Sequence, residues 1–214
     1  MLSKIFNGKY LQRLDNIIQW QEKDVFKQES VSQHSYKVTI FARVLLEDIF
    51  SLSNNPKVNM FKLDVTTRAL FHDWDETLIL RDMSHETKYN EFNGEEIRTA
   101  LNRLAQEKAK TEFREADEDG TWTDSMNMMV YTICVPVEPV KSFAKLCDWM
   151  ALFFYMRREK LLGNKDFRNS WEIVASKFPK AIEEVEKQLK EHFPNEVMDF
   201  TELNNLKTIF EDYE

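Results

Sequence analysis

Chain breakers are scarce in this sequence. Its 214 residues include four Gly and five Pro, which leaves long stretches free to continue as helices and argues against a turn-rich architecture. Cysteine is nearly absent. Cys134 and Cys147 form no C-x-x-C pair and sit in apolar contexts, so a disulfide scaffold is excluded and buried thiols in a reducing compartment, the cytoplasm, are expected. No long hydrophobic run occurs. The most apolar stretch, Phe143 to Met156, is interrupted by Lys145 and Asp148 and is too short and too charged to span a bilayer, so no membrane association is expected. The first nine residues lack the apolar centre of a signal peptide. Positive charge is also in deficit: the formal net charge is -8 and the sequence pI about 5.2, which disfavours binding to a nucleic-acid polymer. A small anionic ligand remains compatible, because a bound metal ion inverts the local field.

Apolar residues are plentiful. At 43% of the chain they suffice for a sizeable core, and the length suits one domain over 1–214. Tyr10 to Trp20 reads as a first helix with Leu11, Leu14, Ile17 and Ile18 on one face. Ser30 or Ser32 is placed to cap a second helix whose apolar stripe runs His34, Val38, Phe41, Leu45, Ile49. Asp64 is the expected cap of a third. Glu95 to about Phe113, with Ile97, Leu101 and Leu104 inward, reads as a long amphipathic helix, and Thr123 to Cys134 as another. A further helix is expected from about Val140 to Leu162, stopped at Gly163-Asn164. Trp171 to His192 follows, ended by Pro194, with a short helix near Leu203 to Phe210.

The chemistry concentrates in Ala69-Leu70-Phe71-His72-Asp73-Trp74-Asp75-Glu76. At helical spacing Ala69, His72, Asp73 and Glu76 share one face, and Ala69 marks it as the buried one. An unpaired buried carboxylate costs on the order of several kcal/mol, and a divalent cation is the simplest compensation. Taken alone, the His-Asp pair is better read as an exposed pair on a helix surface. Two further helices extend the pattern. His34 enters the apolar stripe of the second, and Asp148 lies among Ala144, Ala151, Leu152 and Tyr155. Three separate helices thus each carry a metal-competent residue on a buried face.

This H…HD…D order resembles the HD phosphohydrolase superfamily, and more closely its bacterial 5′-deoxynucleotidase branch. The E-x-V-x-x-H-S segment of that branch is matched by Glu29 to Ser35, its H-D-x-x-E by His72 to Glu76, its following Asp and K-Y pair by Asp82 and Lys88-Tyr89, and its K-x-x-D by Lys145 to Asp148. Trp20 precedes His34 by the spacing of the family's Trp. The resemblance covers roughly residues 8–160 and leaves about 165–214 as a helical extension. Two departures stand out: Gln19 replaces an Arg of the family, and the loop after Glu76 is one residue longer and lacks the family's Pro and Gly.

The resemblance implies an all-α helical bundle in which His34, His72, Asp73 and Asp148 bind one divalent ion. Two neutral imidazoles and two carboxylates suit Mn, Co, Fe, Ni or Zn, with Mg also in the set. Glu76 is implied as the catalytic acid or base, Trp20 as the sugar contact, and Gln19, Asp82 and Lys88 as the remaining substrate contacts. The implied reaction is release of phosphate from deoxynucleoside 5′-monophosphates. The alternatives are a phage-type deoxynucleoside triphosphate triphosphohydrolase, a phosphodiesterase, and a non-catalytic nucleotide-binding protein that keeps the metal site. A homodimer is implied by the resemblance alone.

Overall fold

The computed structural model describes residues 9–20, 23–74, 76, 96–97, 99–100, 103–104, 107, 111 and 137–208. Among them six α-helices occur: α1 (Lys9–Asn16), α2 (Val31–Ile49), α3 (Pro56–Leu70), α4 (Val140–Leu161), α5 (Arg168–His192) and α6 (Thr201–Asn205), the last followed by a 3₁₀ turn, Leu206–Thr208. The described residues contain no strand. Their single β-bridge pairs Ile18 with Ser30. The all-α expectation holds. The chain divides into two compact units, one of Met1–Ser35 and Phe71–Pro136, the other of Tyr36–Leu70 and Val137–Glu214.

In the first unit α1 stops at Asn16, four residues short of the expected end. The cause is a competing partner for the backbone. Gln19 N–H donates to the Glu29 carbonyl at 2.7 Å, and Val31 N–H to the Ile17 carbonyl at 2.8 Å. The β-branched pair Ile17-Ile18 favours this extended pairing over another helical turn. Leu14, Ile17 and Val31 close into a small buried cluster above it. α2 then opens on a capping box: Ser30 Oγ accepts from Gln33 N–H at 3.3 Å while Gln33 Oε1 accepts from Ser30 N–H at 3.1 Å. The isolated residues described between 96 and 111 are helical, but Ile97 and Leu104 are exposed rather than inward. Thr123 to Cys134 lies outside the described residues.

In the second unit α3 packs on α4 and α4 on α5. The expected cap at Asp64 is corrected: α3 begins at Pro56, because Pro suits a first helical position and Asn55 Oδ1 accepts from Lys57 N–H at 2.9 Å. The stripe predicted for α2 is realised, with Val38, Leu45 and Ile49 buried and Phe41 stacked on Phe154 at 5.3 Å between ring centroids. Phe61 meets Phe50, Phe143 and Phe193 edge to face at 5.3 to 6.2 Å, and Phe153 lies 4.8 Å from Trp171. Each such side chain contributes about 1.5–3 kcal/mol when buried. α4 ends in a Schellman motif. Gly163 takes φ 97°, its N–H donates to the Lys160 carbonyl, and Asn164 N–H donates to that of Glu159.

The segment after α5 is tied down by Glu196, whose carboxylate accepts from Ser53 Oγ and, at 2.7 Å, from Asn55 Nδ2. These two bonds hold its carboxyl below the usual range, and Thr201 does the same for Asp199. A lowered carboxyl adds stability above its unfolded pKa and loses it as pH falls through the folded one. Protection of the 193–200 amides, corrected for intrinsic exchange, should therefore drop in acid, and Glu196→Gln should blunt that drop. An unaltered pH profile in the variant would remove Glu196 from this role.

Candidate functional site

In the first unit the capping box fixes the first turn of α2, and His34 N–H closes that turn on the Ser30 carbonyl at 3.0 Å. His34 is thereby held at 2% exposure. Its ring lies 5.3 Å from that of His72, centroid to centroid, tilted by 56°. His72 and Asp73 are not on a helix. α3 ends at Leu70, and the backbone continues through tight turns in which Trp74 N–H donates to the Phe71 carbonyl at 3.1 Å and Glu76 N–H to that of Asp73 at 3.0 Å. The expectation that one helix carries this segment is therefore corrected: α3 ends before His72 and the chain turns. Ala69, Asp73 and Glu76 are all buried and His72 is half-buried.

His72 Nε2 and Asp73 Oδ2 lie 3.0 Å apart. Two donors at about 2.1 Å from one ion, at right angles, would be separated by about 3 Å, so this pair fits adjacent ligation. Glu76 has 0% exposure, which removes the surface ion pair as an explanation for it. Glu29 sits beside His34, its Oε1 3.8 Å from Nδ1.

In the second unit Asp148 is 6% exposed on α4, among Ala144, Ala151, Leu152 and Tyr155, all buried as the stripe predicted. Lys145 Nζ donates to Asp148 Oδ2 at 2.6 Å and lies 5.8 Å from the centre of the Trp149 ring. Neighbouring Cys147 is fully buried, and burial first, then the Asp148 charge, push its thiol far above the usual range. That thiol is inert at neutral pH. In the first unit the imidazoles of His34 and His72 and the Asp73 carboxylate are brought together. Their chemistry, two imidazole nitrogens and a carboxylate, fits a first-row divalent cation.

Of the expected substrate contacts, Trp20 and Gln19 are described. Gln19 is buried, anchored through its backbone to Glu29. Trp20 is half-buried with φ 61°, left-handed backbone that costs a bulky residue about 1–3 kcal/mol and persists where surrounding structure enforces it. The bridge on one side and the turn closed by Lys23 N–H on the Trp20 carbonyl at 2.9 Å supply that enforcement. Lys23 Nζ lies 6.0 Å from the ring centre. Asp82 and Lys88 lie outside the described residues.

A family model described as 5′-deoxynucleotidase YfbR-like matches residues 7–204. No curated protein matches the chain. Among solved structures, the crystal structure of an HD-domain phosphohydrolase from Listeria innocua is similar over 97% of this chain and 98% of that one, with 18% identity and a TM-score of 0.59. At that identity the likeness is one of fold.

Proposed function

Because the chain belongs to the YfbR-like 5′-deoxynucleotidase family and is thus an HD-type, metal-dependent phosphohydrolase, we propose that it releases phosphate from deoxynucleoside 5′-monophosphates. His34, His72, Asp73 and Asp148 are the proposed ligands of one divalent ion. The observation that carries the reading is the first unit's own arrangement: two imidazoles 5.3 Å apart, a carboxylate 3.0 Å from one of them, and a wholly buried glutamate one turn further on. A divalent ion in such a set supplies Lewis acidity toward phosphoryl oxygens and acidifies water. Glu76 then handles the proton, taking it from water or giving it to the leaving 5′-oxygen. Asp82 and Lys88 are the proposed further contacts to sugar and phosphate, and the substrate is a free nucleotide in the cytoplasm.

The test is a screen of deoxynucleoside mono-, di- and triphosphates with Mn²⁺ and Co²⁺, following inorganic phosphate and triphosphate. Phosphate from monophosphates is the expected outcome. Triphosphate from a deoxynucleoside triphosphate would assign the triphosphohydrolase reaction instead. Metal and nucleotide binding without any turnover would make the protein a nucleotide sensor.

Trp20 is proposed to exclude ribose. The enforced backbone at Trp20 favours a ring held in one place, and buried Gln19 beside it brings no charge. A 2′-hydroxyl crowded against an indole face would also go unsatisfied, costing about 1–3 kcal/mol, or roughly 10- to 100-fold in rate. Trp20→Ala should narrow the gap between a deoxynucleotide and its ribonucleotide while the metal content stays constant. Equal kcat/KM on both sugars in the wild-type protein would dispose of the exclusion and of the deoxy preference together.

A further inference from the structure

We infer that Glu29 is a positioning residue for His34: its carboxylate holds the imidazole proton on Nδ1 and so presents Nε2, unprotonated, to the metal. This rests on the reading of His34 as a ligand. An imidazole has two ring nitrogens, and in its neutral form one carries a proton while the other offers a lone pair. A carboxylate beside one nitrogen favours the tautomer that points N–H at it. Metal-binding histidines commonly turn their second nitrogen to such an acceptor, which fixes tautomer and ring orientation.

Glu29 is built into this place. Its Oε1 lies 3.8 Å from His34 Nδ1, and both side chains are almost fully buried, at 4% and 3% exposure. At that separation the contact is electrostatic rather than a direct hydrogen bond. The start of α2 is capped reciprocally by Ser30 and Gln33, so Glu29 is not its cap. The backbone at Glu29 is immobilised from the opposite side by Gln19 N–H at 2.7 Å and by the Ile18–Ser30 bridge. His34, five residues on, is held by its own bond to the Ser30 carbonyl. Acid and imidazole are therefore pinned to one short piece of backbone, and that piece is bonded across the bridge to the one that carries Gln19 and Trp20. One β-bridge thus sets the register of both the proposed ligand and the proposed sugar contact.

The experiment uses full-length protein and Co²⁺ as probe. In metal-free wild-type protein, ¹⁵N imidazole spectra should show His34 protonated on Nδ1. Glu29→Gln retains the shape, and should shift His34 toward the other tautomer and weaken Co²⁺ by roughly 10- to 100-fold in chelator competition. His34→Ala run beside it should lose more. A His34 proton on Nε2 in the wild-type protein overturns the inference, and this measurement needs no variant to fold. Wild-type Co²⁺ affinity in Glu29→Gln, with affinity lost in His34→Ala, overturns the role of Glu29 and leaves the metal reading standing. Wild-type affinity in His34→Ala removes both.

Discussion

Asp148→Ala protein should purify with little bound metal, fail to regain it on dialysis against Mn²⁺ or Co²⁺, and lose activity in the same proportion. The expected loss exceeds the roughly 10- to 100-fold that follows removal of a group merely orienting a ligand, because the substitution deletes a donor and a negative charge from the proposed set. The fold should survive. Asp148 lies in a stripe of alanines and larger apolar side chains on α4, where Ala is a good helix former, and its partner Lys145 is 38% exposed and gains water when the carboxylate goes. Unfolding midpoints within a few degrees of wild type are therefore expected for the metal-free proteins. Metal content by elemental analysis is the deciding measurement. Full occupancy in the variant would take Asp148 out of the ligand set, and its burial with Lys145 would then be a local ion pair inside the second unit.

The sequence was most legible where a single side chain decides the local geometry. Gly163 foretells the end of α4 because the Schellman turn needs a left-handed residue there. Ser30 foretells the start of α2 because few residues other than Ser, Thr, Asp and Asn satisfy an open helix start. The burial of Ala144, Asp148, Ala151 and Tyr155 follows from helical period alone. Legibility failed where two distant segments compete for one backbone. Nothing local in Ile17-Ile18-Gln19 announces that residues 29–31 will claim its hydrogen bonds, so the first helix reads too long and Trp20 is mistaken for a helix end. At the other boundary Asp64 looks like a cap, yet the helix begins at Pro56 with Asn55 as its cap.

The same contrast applies to the site. The burial of Asp73 and Glu76 was readable from their spacing to Ala69, whereas His34 joined them only through the resemblance. The partner of His34 was not readable from spacing. Glu29 lies outside α2, five residues before the imidazole, and no helical or strand period relates the two. It stands out in sequence only as a letter in the E-x-V-x-x-H-S segment, and its function comes from the bridge that holds it in place.

Glu76→Gln should keep its metal and lose activity by roughly 10²- to 10⁴-fold, the usual contribution of a placed acid or base. The substitution preserves volume and hydrogen-bonding reach while removing the ability to accept or release a proton at the reacting centre. Burial sharpens the expectation. A glutamate on the surface would tolerate the change to within about 0.5 kcal/mol, whereas Glu76 has no exposure and follows Asp73 by one turn, bonded to its carbonyl through the backbone. That link also separates the two roles. If Glu76 moves protons, the variant retains a full complement of metal, a kcat near the floor and a KM within a few-fold of wild type. If it is instead a ligand, metal and activity fall together, as for Asp148→Ala. Turnover at the wild-type rate with metal retained would leave its burial purely structural and return the proton to water or to another side chain. Measuring kcat against pH adds an independent check: the limb that reports the acid or base in the wild-type profile should be missing from the residual activity of Glu76→Gln.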